Sequence, residues 1–219
     1  MDDFSTDFSE NQPQYRVSVW EVIAITGGAV LLVAAGLLGL GMKAMGNAFD
    51  PQRAEAIAHS LMKYEIPGGS RGFLGTNIGG GKMAVVASTV PAVPNQSTPA
   101  VELFLARIPV SDSAKSGEAT DAPLQPQNEL FSGFSFSYQD PAAFQIQTAR
   151  VEQKPFCGAV VPVEVQVGSL TTASTPLPAV KYQIMRILEN DNQIVVISAL
   201  GDQAASQADQ VFNSLRCEG

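Results

Sequence analysis

The run Val22 to Met42, VIAITGGAVLLVAAGLLGLGM, carries no charge and no strongly polar side chain. Its length is close to the ~20 residues that a helix needs to cross a bilayer core. Trp20 stands at its start and Lys43 closes its far end. An indole suits the lipid–water interface, and a lysine there can snorkel to water. The run reads as a transmembrane helix over 20–43. A cleaved signal peptide would begin with basic residues and carry a shorter apolar region of ~7–15 residues. Here the start is acidic (Asp2, Asp3, Asp7, Glu10), Arg16 alone is basic, and Gly46-Asn47-Ala48 is a poor cleavage site.

This run divides the chain. Residues 1–19 read as an acidic, disordered tail, and 50–219 as one soluble α+β domain, since the remaining length suits one core rather than two. The side of the membrane is contested. Lys43 and Arg53 after the run outnumber Arg16 before it, which by the positive-inside rule favours a cytoplasmic domain. Two cysteines in the domain favour an oxidising compartment. The reading taken is extracytoplasmic, in a periplasm or lumen. Within the run, Ala24, Gly28, Ala35 and Gly39 share one helix face. Such a face lets a second helix approach closely, by self-association or with another membrane protein.

The domain opens on a helix. Asp50 can cap it and Pro51 suits its first position. Ala54, Ile57, Ala58, Leu61 and Met62 then recur at helical spacing until Pro67-Gly68-Gly69 ends the pattern. Residues 72–88 read as strand, glycine turn and strand. Pro91, Pro94 and Pro99 mark a loop, and 101–108 is apolar on both faces, as in a central strand. Residues 109–130 have no period and read as a flexible loop. Phe134, Phe136 and Tyr138 then alternate with serines. That spacing suits a strand with one aromatic face, packed in the core or, together with Phe131, exposed to a partner.

Further strands are expected over 144–152 and 161–167, where Pro162 suggests an edge or irregular position. Residues 180–188 and 193–200 flank Glu189-Asn190-Asp191-Asn192 as a hairpin. A last helix begins at Asp202, with Ala204, Ala208, Val211, Phe212 and Leu215 on its apolar face. The expected fold is therefore α+β: a transmembrane helix, then an antiparallel sheet flanked by an N-terminal and a C-terminal helix.

Chemistry is sparse. GTNIGGGK at 75–82 fails as a phosphate loop, because the first glycine of G-x-x-x-x-G-K would fall on Thr76, Met83 replaces Ser/Thr, and a strand follows. His59 is the single histidine and sits off the apolar helix face, too little for a histidine-rich metal site or a nucleophile's base. Glu152, Glu164 and Glu189 are scattered and read as solvated strand positions. Asn95-Gln96-Ser97 is a formal glycosylation sequon in a loop. Cys157 and Cys217 do not form CxxC, and are either paired in a disulfide or buried as free thiols. The net charge of −8 argues against nucleic acid, which needs a basic field. No cofactor or metal site is expected.

The segments AEAIAHSLMKYEIPGG (54–69), GKMAVV (81–86), VELFLARIP (101–109) and IVVISALGDQAASQADQVFNSL (194–215) resemble a group of uncharacterised cyanobacterial-type single-pass membrane proteins. The helix–sheet–helix order over 50–216 is similar in outline to the Mog1/PsbP-like α/β sandwich. That resemblance implies a non-enzymatic accessory or assembly protein, and carries over no functional residue. The expected function is a membrane-anchored, non-catalytic binding protein. The alternatives are a ligand-binding or sensory ectodomain and an enzyme of unrecognised type.

Overall fold

A computed structural model describes residues 18–95, 97–109, 144–172, 175–188 and 190–217. The chain divides into two compact units, Met1–Ala44 and Met45–Gly219. The first is dominated by α1, Val19–Ala48, which extends past both ends of the predicted 20–43 segment. At 1.5 Å per residue its 30 residues span ~45 Å, more than the ~30 Å hydrocarbon core of a bilayer. None of its residues is buried. It is one helix long and apolar enough to cross a membrane.

The second unit is α+β. It contains α2 (Pro51–Leu61), β1 (Ser70–Ile78), β2 (Gly81–Ser88), β3 (Val101–Pro109), β4 (Phe144–Phe156), β5 (Ala159–Thr172), β6 (Thr175–Ile187), β7 (Asp191–Leu200) and a final helix, α3 (Ala204–Ser214). The strands form one antiparallel sheet in the order β1-β2-β3-β7-β6-β5-β4. Successive strands are neighbours except at the β3-to-β4 connection, and β7 closes the sheet against β3.

Local chemistry sets these elements. The Asp50 carboxylate accepts from the Gln52 and Arg53 amides at 2.9 and 3.3 Å, capping α2 as its sequence predicts. β1 and β2 meet at Gly79-Gly80, whose φ angles are +60° and +81°, with Ile78 opposite Gly81. That is a two-residue hairpin turn, so the glycine stretch shapes a strand reversal. β6 and β7 join where Leu188 N–H donates to the Asp191 carbonyl at 2.8 Å, at the hairpin expected there. β3 is buried on both faces from Val101 to Ala106, in keeping with its place between β2 and β7.

Several boundaries differ from expectation, among them both ends of β5 and the start of β6 at Thr175. β4 continues to Phe156, and α3 starts at Ala204, because Gly201 and the turn through Gln203 delay it. β5 is an interior strand although it contains Pro162. The proline is tolerated because β5–β6 pairing begins only at Val163; at Pro162, β5 is paired with β4 alone, through Gln153.

Both helices pack on one face. Ala58 and Met62 of the α2 segment join Val86, Leu103 and Ile197 of the sheet in a core that also holds Val211 and Phe212 of α3. α2 lies very close to β1. A Cβ on Gly75 would sit 2.6 Å from the Ala54 Cα, and one on Gly72 would strike the Pro51 carbonyl oxygen. Glycine at both positions is what lets the helix approach the strand backbone. The opposite sheet face carries a second cluster, Val85, Phe104, Ala106, Ile194 and Val196.

Candidate functional site

A connected group of polar contacts joins β4, β6 and α3. Arg150, Glu152 and Lys154 alternate along β4 and so share one face. The Arg150 guanidinium bonds Glu152 at 2.5 Å, and the Lys154 ammonium lies 3.2 Å from both Glu152 and Asp209. Lys154 also sits over the Tyr182 and Phe212 rings, 4.7 and 5.4 Å from their centroids. The Tyr182 hydroxyl donates to Asp209 at 2.9 Å.

These contacts set the protonation states. Burial, then the bond to Asp209, pushes the Tyr182 hydroxyl up to about 12. Burial works against the Lys154 ammonium, but its bonds to Asp209 and Glu152 outweigh it and hold the pKa above the ordinary lysine value. Arg150 and Lys154 hold the Glu152 carboxyl below the usual range. At neutral pH Tyr182 therefore keeps its proton and Lys154 its charge. The arrangement cross-links an outer strand to a helix; it does not poise a base or a nucleophile near neutrality. Glu152 is a partly exposed strand position, and it carries two ion-pair partners that the sequence reading did not name. Glu164 accepts from Gln166 at 2.7 Å, and Glu189 lies outside the described residues.

Two grooves open at the far end of α3. The larger, about 910 Å³, is lined by His59, Lys63, Glu65, Asn213, Ser214 and Arg216 among others. His59 is not isolated: its ring stacks on Tyr64, 4.7 Å between centroids and 7° between planes. The groove wall is a short backbone bridge, with Lys63 and Arg216 exchanging amide–carbonyl bonds of 2.9 Å. The smaller groove, about 590 Å³, runs beside Cys157 and Cys217 and shares Asn213 and Arg216 with the first.

Cys157 and Cys217 lie at disulfide distance, with Cα atoms 5.4 Å apart across 60 positions of sequence. The pair joins the β4–β5 turn to the segment after α3. Of the other positions singled out from sequence, Ala24, Gly28, Ala35 and Gly39 all lie on α1 and are exposed. A Cβ at Gly28 or Gly39 would meet nothing within 4 Å. Phe131, Phe134, Phe136 and Tyr138 lie outside the described residues. No group of three His, Cys, Asp or Glu that could hold a metal occurs among the described residues.

A buried polar row escaped the sequence reading. Glu102, Ser198, Lys181 and Gln166 stand in register across β3, β7, β6 and β5. The first three are 4%, 2% and 3% exposed. Burial pulls the Lys181 ammonium below the ordinary lysine value, with Glu164 opposing. The signal was present as alternation: Lys181 and Gln183 interleave with Val180, Tyr182 and Ile184, which marks two chemically distinct sheet faces.

No protein-family model matches the chain, and no curated protein matches it. Among solved structures, the chain is similar to LpqN, described as involved in cell envelope biogenesis of Mycobacterium tuberculosis. The identity is 13%, the match covers 76% of this chain and 96% of LpqN, and the TM-score is 0.34.

Proposed function

We propose that this chain is a membrane-anchored, non-catalytic accessory protein whose α+β domain binds a protein partner on the extracytoplasmic side. The observation that carries the reading is α1: a long apolar helix with no buried residue, which needs a lipid or protein environment to cover it. Its acidic start and its length favour a retained anchor over a cleaved signal. The Cys157–Cys217 pair favours an oxidising compartment. The sequence's resemblance in outline to Mog1/PsbP-like sandwiches suggests the accessory role, and its resemblance to cyanobacterial-type single-pass proteins suggests the tether.

Topology and retention are tested together. A membrane-impermeant reductant followed by an impermeant maleimide should label the cysteines equally in intact and permeabilised cells. The labelled chain should have the full mass of 23.1 kDa and resist alkaline extraction. Labelling that needs permeabilisation but no reductant would place the domain in the cytoplasm, and a shortened, extractable chain would end the anchor reading. Crosslinking and affinity purification from mild detergent should recover a protein partner; recovery of the chain alone across several crosslinkers would refute the binding role.

A second reading, a ligand-binding ectodomain, is favoured by the groove lined by His59, Lys63 and Arg216. Its volume lies in the range of small-molecule sites. Small anions screened by thermal shift should then stabilise the protein, and less so after Arg216→Ala; no stabilisation by any of them would remove this reading.

A further inference from the structure

β4 is the last strand of the sheet, and along Thr148–Lys154 no strand among the described residues pairs with its outer edge. Residues 145–151 are all exposed, Val151 at 66%, while Glu152 and Lys154 are half-buried. A long free edge presents unpaired amides and carbonyls to any strand that fits, and proteins normally blunt such edges with bulges and prolines. β4 has both devices, one at each end. The register with β5 breaks between Ile146 and Thr148, and Pro155 lacks an N–H. The regular stretch between them is Thr148–Lys154, whose midpoint is Val151.

Opposite charges flank that midpoint at equal distance: Arg150 on one side, Glu152 on the other. We propose that the free edge of β4 pairs antiparallel with β4 of a second copy, about a two-fold axis through Val151, so that two sheets become one. In this register Arg150 of each copy stands opposite Glu152 of the other, and Val151 faces Val151. Shifting the centre by one residue sets Arg150 against Arg150 or Glu152 against Glu152, which like-charge repulsion disfavours. The charges therefore select one register, and the bulge and Pro155 limit its length. An axis normal to the sheet also leaves the β4 face that bears Arg150, Glu152 and Lys154 on one side of the joined sheet in both copies. The inference goes beyond the accessory reading and does not depend on the anchor.

The test uses the full chain in detergent micelles. Val151→Cys should form a covalent dimer under mild oxidation, whereas Ile78→Cys, as exposed but at the opposite end of the sheet, should not. Arg150→Glu or Glu152→Arg alone should weaken the dimer by about tenfold or more, from like charges at two symmetric positions. An equal mixture of the two variants should recover it as a mixed dimer. Loss of the Arg150–Glu152 pair within each copy is the same before and after mixing, so only pairing between copies accounts for recovery. Equal crosslinking of Val151→Cys and Ile78→Cys, or no recovery on mixing, would overturn the proposal. A dimer indifferent to these charges would overturn it too and move self-association to α1. In either case, capture of a distinct protein partner from the same preparation would leave the accessory reading standing.

Discussion

The Lys154 ammonium and the Tyr182 hydroxyl share one carboxylate oxygen, Asp209 Oδ1, at 3.2 and 2.9 Å, while the ammonium rests 4.7 Å from the centroid of the same tyrosine's ring. Lysine and tyrosine are thus coupled twice, through the carboxylate and through the ring face. The coupling binds an outer strand to the helix layer through side chains.

An alkaline transition follows from this pair. Tyr182 titrates near 10.0 when unfolded and at about 12 when folded. The folded state therefore holds a proton that the unfolded state has lost, and stability falls with pH across that window. Below pH 10 the contribution is fully present; above about 12 it is gone. Tyr182→Phe removes the titration, so its stability should be flatter from pH 10 to 12, at a cost near neutrality of ~1 kcal/mol for the lost hydrogen bond. Thermal melts across that range, with tyrosinate absorbance followed in parallel, check both parts.

Cys157 and Cys217 lie at disulfide distance, and a bridge between them closes a loop spanning 60 positions. By loop entropy such a link stabilises the folded state by ~4 kcal/mol. Cys157→Ser with Cys217→Ser should lower the urea midpoint accordingly, and reductant should lower the wild-type midpoint to the same value while leaving the double variant unchanged. Because Cys217 tethers the segment after α3, the first hydrogen-exchange protection to disappear should be that of the Lys63–Arg216 bridge.

How far the sequence foretold these features depends on range. β3 was legible because burial on both faces leaves a continuous apolar run, VELFLARIP, broken only at Glu102 and Arg107. The β6–β7 turn was legible because Asn and Asp carry their turn chemistry locally. The Lys154–Asp209 contact was not, since the two residues are 55 positions apart and meet only through the stacking of β4, β5, β6 and α3. The partners of Glu152, by contrast, are Arg150 and Lys154, two positions away on the same strand, so that pairing was present in the strand period and was passed over. The polar row of Glu102, Ser198 and Lys181 needed the strand order, in which β7 separates β3 from β6. Pro162 suggested an edge or irregular position; β5 is interior, yet at Pro162 itself it pairs on one side only, because a proline reports pairing at its own position and says nothing about the strand beyond it.

The contact of α2 with β1 should be intolerant of a single methyl group. A Cβ at Gly75 would meet the Ala54 Cα at 2.6 Å and the Ala54 nitrogen at 3.1 Å. Both are backbone atoms, so no rotamer change relieves the overlap and the helix must lift from the strand. Gly75→Ala should cost ~1–3 kcal/mol, the usual range for overpacking. Urea titration measures the cost, and faster proteolysis within α2 than in the wild type would locate it. A neutral result would mean that the helix stands farther from the strand in solution.

Lys181 should be a residue whose removal stabilises the protein. It is 3% exposed, flanked in register by Gln166 and Ser198, and burial depresses its pKa. An ammonium held there has lost most of its hydration. Glu164, the carboxylate that opposes the shift, is partly exposed and accepts a 2.7 Å bond from Gln166, so it is not stranded when the lysine goes. Lys181→Met keeps the length and apolar stem of the side chain and removes the charge. It should raise stability at neutral pH by ~1 kcal/mol or more, as replacement of buried charge by a packed apolar group often does. The pH dependence has a definite sign. With the folded pKa below the unfolded 10.5, the unfolded state binds more protons over the interval between them. Lys181 therefore makes the wild type more stable as pH rises towards 10.5, and less stable as pH falls through the folded value. Lys181→Met should lack that rise, leaving the decline above pH 10 set by the groups whose folded pKa is raised, Tyr182, Lys154 and Tyr64. Urea denaturation at closely spaced pH values would separate the rise from the decline, and a variant less stable than the wild type at every pH would show that the ammonium is bound by more than it loses on burial.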